Sequence, residues 1–165
     1  MLYAIAADSR SADKKTEIVK IYNRTRIAYI AGRLITGKRI ASLYDFNSLS
    51  HIKIASLPDA DCLTEFDCKY KYYNSGNSGK YKYWFNCKKD HAIDLSVNGS
   101  TFMGKITGST AYFIGNVRGD LIHIYDREDS LHLNYRISGC MPEEEGSDGC
   151  ISCWMTKDES VAGTV

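Results

Sequence analysis

"FIGNVRGDLIHIYDREDSLHLNYRISGC", residues 113–140, decides how this chain is read. Apolar and polar residues alternate through it. Ile122 and Ile124, then Leu131, Leu133 and Tyr135, fall on one side; His123, then His132, Asn134 and Arg136, fall on the other. Side chains alternate faces along a strand but recur every 3.6 residues around a helix, so the pattern predicts two strands, each buried on one face. Placing the apolar set together pairs Tyr125 with Ser130 and leaves the four-residue loop "DRED", 126–129. That register sets His123 directly opposite His132.

Working outward, "IYDREDSLHLNYRISG" (124–139) reads as an expanded copy of "IYNRTRIAYIAG" (21–32). The rest of the chain shows similar short runs broken by Gly, Asn, Asp and Ser. Strands are expected at 17–22, 27–31, 39–44, 50–55, 66–73, 80–86, 92–97, 101–106, 111–117, 120–126 and 131–138. A short helix around "SADKKTEIVK" (11–20) is the alternative to an extended entry into the first strand. An aromatic followed by Asn or Asp recurs at Tyr22-Asn23, Tyr44-Asp45, Phe66-Asp67, Phe85-Asn86 and Tyr125-Asp126. The spacing suggests a hairpin unit of roughly 20 residues, in which the aromatic ends a strand in the core and the Asn or Asp opens the turn. The fold class expected is all-β: consecutive antiparallel hairpins forming a barrel, a sandwich or a hairpin-repeat array. Residues 1–153 make one domain, and 154–165 a flexible C-terminal tail.

Composition agrees with that class. The chain has 165 residues, enough for one domain with a real core. It has twelve tyrosines and only two prolines, Pro58 and Pro142. Tyrosine favours strands and half-buried surfaces. No apolar run reaches the roughly 18–20 residues that span a bilayer. The start, "MLYAIAADSRSADKK", lacks the charged front and long apolar core of a secretory signal, so a cytoplasmic location is expected. A trimmed start is the alternative, because "AIAA" resembles a cleavage remnant.

The net charge is +1, which excludes a global attraction to nucleic acid, but the charge is unevenly distributed. Nine Lys or Arg and two acids lie between Lys14 and Lys53. Six lysines and no acid lie between Lys69 and Lys89. From Asp90 to Asp148, ten acids face Lys105, Arg118, Arg127 and Arg136. The halves either pair in the fold or leave a basic face open to an anionic ligand.

The six cysteines are Cys62, Cys68, Cys87, Cys140, Cys150 and Cys153. In a cytoplasmic setting they are expected to be free thiols. A zinc site is the sharper alternative: "CISC" (150–153) supplies a close pair and Cys140 a third ligand, with a fourth needed from Cys62, Cys68, Cys87 or His91. The loop "MPEEEGSDG" (141–149) lacks the spacing of a calcium loop and reads as solvated. "GSTFMGKITGST" (99–110) is glycine-rich, but no helix follows to hold a phosphate. No pattern calls for a cofactor.

Two constellations carry chemistry. In "KYKYYNSGNSGKYKYWF" (69–85), Lys69, Lys71, Lys80 and Lys82 alternate with tyrosines. Lysines and rings on one accessible face would stack bases and neutralise phosphates, whereas strict alternation turns the rings inward and the lysines to solvent. The second is the His123–His132 pair beside Arg136, suited to binding a phosphodiester or to acid–base work on one. The leading expectation is a non-enzymatic binding module for an anionic ligand: a nucleotide, an oligonucleotide or an acidic protein surface. Its ligand-binding residues would be Arg24, Arg26, Arg33, Lys38 and Arg39 on basic N-terminal strands, Lys69, Lys71, Lys80 and Lys82 on the hairpin, and His132 with Arg136. The alternatives are a metal-independent hydrolase or phosphodiesterase-like enzyme using His123 and His132, and a structural β protein that self-associates through strand edges.

Overall fold

Among the described residues, eight antiparallel strands form one sheet that shares a core with a largely buried helix. The computed structural model describes residues 20–69, 78–84 and 92–141. The chain enters as helix α1, residues 20–36, so the strands expected at 17–22 and 27–31 give way to a helix over the described residues. Ile27, Ile30, Ala31, Leu34 and Ile35 recur at steps of three and four, which is a helical stripe. Every residue from Thr25 to Ile35 is buried, including Arg33 on the far side of the stripe. A helix buried all round loses its polar face, and short pieces such as "AYIA" then look like strand. Its end is marked by Gly37, whose φ of 73° no side chain opposes and whose N–H donates to the Arg33 carbonyl at 3.0 Å.

The strands are β1 (Ile40–Asp45), β2 (Ser50–Lys53), β3 (Gly79–Trp84), β4 (Ala92–Asn98), β5 (Thr101–Ile106), β6 (Phe113–Arg118), β7 (Leu121–Asp126) and β8 (Leu131–Cys140). Their order across the sheet is β2-β1-β8-β7-β6-β5-β4-β3. Six of them, β3 to β8, run as a meander, and the β1–β2 hairpin is added beside β8. β2 and β3 are the two edges, so the sheet is open and the barrel alternative is not realised. The all-β hairpin architecture is as expected. β4, β6 and β8 begin at residues 92, 113 and 131, close to the roughly 20-residue unit. The aromatic-Asn/Asp marker does not track that unit throughout. Tyr22-Asn23 and Phe66-Asp67 lie in helices, and Phe85-Asn86 lies outside the described residues.

A 3₁₀ turn (Ile54–Ser56) and helix α2 (Ala60–Lys69) carry the chain from edge β2 to the opposite edge β3. The strand expected at 66–73 is therefore helical up to Lys69. Pro58-Asp59 opens this helix, Leu63 N–H donates to the Asp59 carbonyl at 3.1 Å, and Leu63 and Phe66 bury one side. Phe66 meets Tyr83 of β3 edge-on at 5.8 Å.

The inner face of the sheet holds Leu95, Val97, Phe102, Phe113, Ile122, Ile124, Leu133, Tyr135 and Ile137, all buried with the apolar residues of α1. Burial of each large apolar side chain contributes about 1.5–3 kcal/mol. The inner face uses glycine where a neighbouring ring needs the space. Gly104 pairs with Phe113, and Phe102 pairs with Gly115. A Cβ at Gly104 would overlap the Asp94 carbonyl and the Phe113 ring, and one at Gly115 would overlap the His123 carbonyl and the Phe102 ring. Each phenyl ring thus covers the bare glycine on the neighbouring strand.

Two turns are built alike. β1 ends on Asp45, which pairs with Ser50, and β7 ends on Asp126, which pairs with Leu131. Asp45 Oδ1 accepts from Asn47 N–H at 2.7 Å, and Asp126 Oδ1 accepts from Glu128 N–H at 3.0 Å. Each four-residue loop closes on a non-glycine residue of positive φ: Leu49 at 55° and Ser130 at 53°. The Asp-opened turn is as expected, but Tyr44 and Tyr125 lie on the outer face rather than in the core. Alternation turns the aspartates inward, where Asp126 also meets Arg24. The structural counterpart of the 124–139 stretch is therefore the Tyr44-Asp45 hairpin, not residues 21–32.

The oppositely charged halves of the chain pair across α1. Lys20 reaches Asp129 at 3.1 Å, Arg24 reaches Asp126 at 3.0 Å and Asp129 at 2.5 Å, and Lys38 reaches Asp120 at 2.5 Å. In the interior, Arg26 Nε donates to Asp59 at 2.8 Å, and the Tyr83 hydroxyl donates to the other carboxylate oxygen. That cluster ties α1 to the start of α2 and to edge β3. Cys62 is disulfide-bonded, which overturns the free-thiol expectation at that position, whereas Cys140 ends β8 as an exposed free thiol. Cys87, His91, Cys150, Cys153, the helix or strand entry at 11–19, the acidic loop beyond Met141 and the tail 154–165 lie outside the described residues.

Candidate functional site

Strand alternation gives the sheet a second face, turned away from α1, and the site lies there. Its residues line up in rows across the strands. One row runs Lys80, Ser96, Met103, Ile114, Tyr125 and His132 from β3 to β8. The next runs Asn98, Thr101, Asn116, His123 and Asn134 from β4 to β8. A third runs Arg118, Leu121, Arg136, Tyr44 and His51 from β6 to β2. A shallow groove of about 540 Å³ runs along the first two rows. Met103 and Ile114, both about half exposed, give it an apolar floor. Ser96, Asn98, Thr101 and Asn116 supply hydroxyls and amides, and His123, Tyr125 and His132 form a wall of rings.

The histidines meet, but not by the register expected. Tyr125 pairs with His132, and His123 pairs with Asn134. The ladder is shifted by two residues, which keeps every side chain on its face. The loop becomes Arg127–Ser130, and Asp126 is left to bind the turn and Arg24. His123 and His132 are then diagonal neighbours, with Nε2 and Nδ1 2.9 Å apart and ring centroids 5.1 Å apart at an interplanar angle of 17°. Tyr125 extends the ring cluster, 4.6 Å from His132. A hydrogen bond between two imidazole nitrogens needs one donor and one acceptor, so the pair holds one proton between the rings.

Electrostatics set this face apart. Its outward strand positions carry Lys53, Lys80, Lys82, Lys105, Arg118 and Arg136 against one carboxylate, Asp94, among the described residues. Asp94 sits between Lys82 and Lys105 in one row and is 3.4 Å from Lys82 Nζ. Lys82 also lies over the Trp84 ring at 5.0 Å, and Lys105 over Tyr112 at 5.8 Å. On the far side of the ring cluster, Tyr44 pairs with Arg136 and packs against Phe46 and His51 at centroid distances of 5.0 and 4.9 Å.

The sequence candidates separate into two groups. Lys80, Lys82, His132 and Arg136, with His123, come together on the outer face. Arg24, Arg26 and Arg33 belong to helix α1 rather than to basic strands. Arg24 is engaged by aspartates, Arg26 is buried on Asp59, and Arg33 is wholly buried. Lys38 is bound to Asp120, whose hydrogen bond holds the ammonium above the ordinary lysine range. Arg39 is half-buried at the foot of β1, and Lys69 is exposed at the end of α2. Lys71 lies outside the described residues. A smaller cavity of about 220 Å³ beside the start of α1 is lined by Lys20, Arg24, Asp126 and Glu128, and two of these cations are already engaged by aspartates. On the β3 hairpin, Tyr83 turns inward and the lysines outward, as alternation requires, while Trp84 stays on the lysine side.

No protein-family model, curated protein or solved structure matches the chain. The site therefore rests on its own geometry. Tyr125, Asn116, Met103, Ile114, Lys105 and Arg118 join it without having been singled out from the sequence. Their signal was available: each is an outward position in a strand that buries its other face. Among the described residues, no group of three or more His, Cys, Asp or Glu side chains gathers as a metal site. Of the zinc trio only Cys140 is described.

Proposed function

We propose that this protein is a non-enzymatic binding module that takes an anionic ligand on the outer face of its sheet. One observation carries the reading: the division of charge between the two faces. The aspartates of the C-terminal half engage Lys20, Arg24 and Lys38 around α1, leaving cations on the outer face with Asp94 as their one described carboxylate. Cations along a groove raise the local concentration of an anion and orient it, even on a chain of net charge +1. The groove supports this use, because its amides and hydroxyls are placed to read a polar ligand once charge has drawn it in.

The experiment is chromatography on phosphocellulose. The wild type should be retained well beyond what its net charge predicts. The double variant Arg118→Glu/Arg136→Glu should elute at clearly lower salt. Lys20→Glu/Lys38→Glu changes net charge equally and should shift elution far less. Equal shifts for the two pairs would remove the outer face as the site.

A second reading rests on the His123–His132 contact, which places two imidazoles in the groove, with Arg118 and Arg136 in the adjoining row of the sheet. There the protein would be a hydrolase of phosphodiesters, with the free ring nitrogens moving the proton. Hydrolysis of an oligoribonucleotide that disappears in both His123→Ala and His132→Ala would favour it over simple binding. The disulfide at Cys62 bears on location: such bonds persist in oxidising compartments, and the disulfide-bonded form is proposed to work in one rather than in the cytoplasm.

A further inference from the structure

Resting on the anion-binding reading, we infer that the ligand is single-stranded nucleic acid, lying across the strands with its bases stacked on the outer-face rings. Charge alone would suit any polyanion. What narrows the class is that rings and cations alternate along this face. Lys82 lies over Trp84, Lys105 over Tyr112, and Arg136 stands beside Tyr44, with the Tyr125–His132 cluster between them. A planar base needs a ring face, and the phosphate next to it needs a cation within reach; surfaces that bind single strands supply both at short intervals. Trp84, Tyr112 and Phe46 are each about 40–50% exposed, although burial of such rings would stabilise the fold.

The dimensions agree. β3 to β8 spans five inter-strand spacings, about 24 Å. That length accommodates a segment of a few nucleotides, at the lower end of the roughly 4–16 that an OB-fold binds. A duplex fits poorly, because its bases are stacked internally and cannot lie on Tyr125 or His132. Asn98, Thr101 and Asn116 line the next row, where the polar edges of unstacked bases would fall.

The test uses fluorescence anisotropy with three labelled probes: a 12-nucleotide oligothymidine, a 12-unit abasic phosphodiester of the same charge, and a heparin oligosaccharide. The oligothymidine should bind most tightly, and Tyr125→Ala should weaken it by about tenfold, whereas Tyr125→Phe should retain affinity. The abasic strand should bind weakly and be indifferent to Tyr125→Ala. If the abasic strand or heparin binds as tightly as oligothymidine, the surface is a general anion site, and this inference falls while the anion reading stands. If no probe binds, or if binding survives Arg118→Glu/Arg136→Glu, both fall. Tyr125 is an outward, partly exposed position, and the Phe variant controls for any loss of folding.

Discussion

His123 Nε2 and His132 Nδ1 are 2.9 Å apart, although the two residues are not directly paired in the ladder. The contact is diagonal, across the β7–β8 hairpin, and it exists because the register runs two residues further than the apolar pattern alone requires. A one-residue slip would have sent the histidines to opposite faces. A two-residue slip preserves the face and changes only the partner.

One ring nitrogen must donate and the other accept for this contact to hold. Scalar coupling between the two nitrogens should therefore be detectable across the hydrogen bond by NMR of ¹⁵N-labelled protein. His132→Ala should alter the His123 ring shifts directly. Unchanged His123 shifts in that variant would show that the rings do not meet in solution.

The matched turns offer a stability test. Leu49 and Ser130 both adopt positive φ, at 55° and 53°, where a side chain is strained by about 1–2 kcal/mol. Glycine removes that strain but brings extra entropy in the unfolded chain, so the net gain is about 0.5–1 kcal/mol. Leu49→Gly and Ser130→Gly should each raise the thermal midpoint by a few degrees. Leu49 is 73% exposed, so little packing is lost with its side chain. A lower midpoint in Leu49→Gly would mean that the leucine is held by contacts beyond this turn.

Legibility from sequence followed the physics of burial. β4 to β8 were readable because each buries one face and exposes the other, so Ile93, Leu95 and Val97 alternate with Asp94, Ser96 and Asn98. Helix α1 was not, because it is enclosed on all sides from Thr25 to Ile35, where Thr25, Arg26 and Arg33 are as buried as Ile27, Ile30 and Ile35. Gly37 and the Ile27–Ile30–Leu34 spacing were its surviving marks. The pairing of β1 with β8 joins residues almost a hundred positions apart, and no local pattern reports such a contact. For the same reason the site was only half visible. His123, His132 and Arg136 lie in one stretch, whereas Asn116, Met103 and Lys80 join them through neighbouring strands.

Two buried phenols make stability fall in alkali. Burial, with the Asp59 hydrogen bond, holds the Tyr83 phenol far above the ordinary tyrosine value, and burial beside Asp45 does the same for Tyr135. The unfolded chain releases these protons near pH 10, while the folded protein keeps them. The unfolded state then binds fewer protons, so stability is complete below about pH 10 and declines as pH rises beyond it. Each phenol contributes a slope of up to about 1.4 kcal/mol per pH unit. Tyr135→Phe removes one of the two groups. Urea unfolding at several pH values between about 9 and 11.5 should show a shallower alkaline decline for this variant than for the wild type. Tyr83→Phe should also flatten the decline, but from a lower starting stability, because Asp59 loses a buried donor and keeps Arg26. An alkaline slope unchanged by Tyr135→Phe would mean that this phenol ionises freely in the folded protein, and that the inner face of β8 is open to solvent.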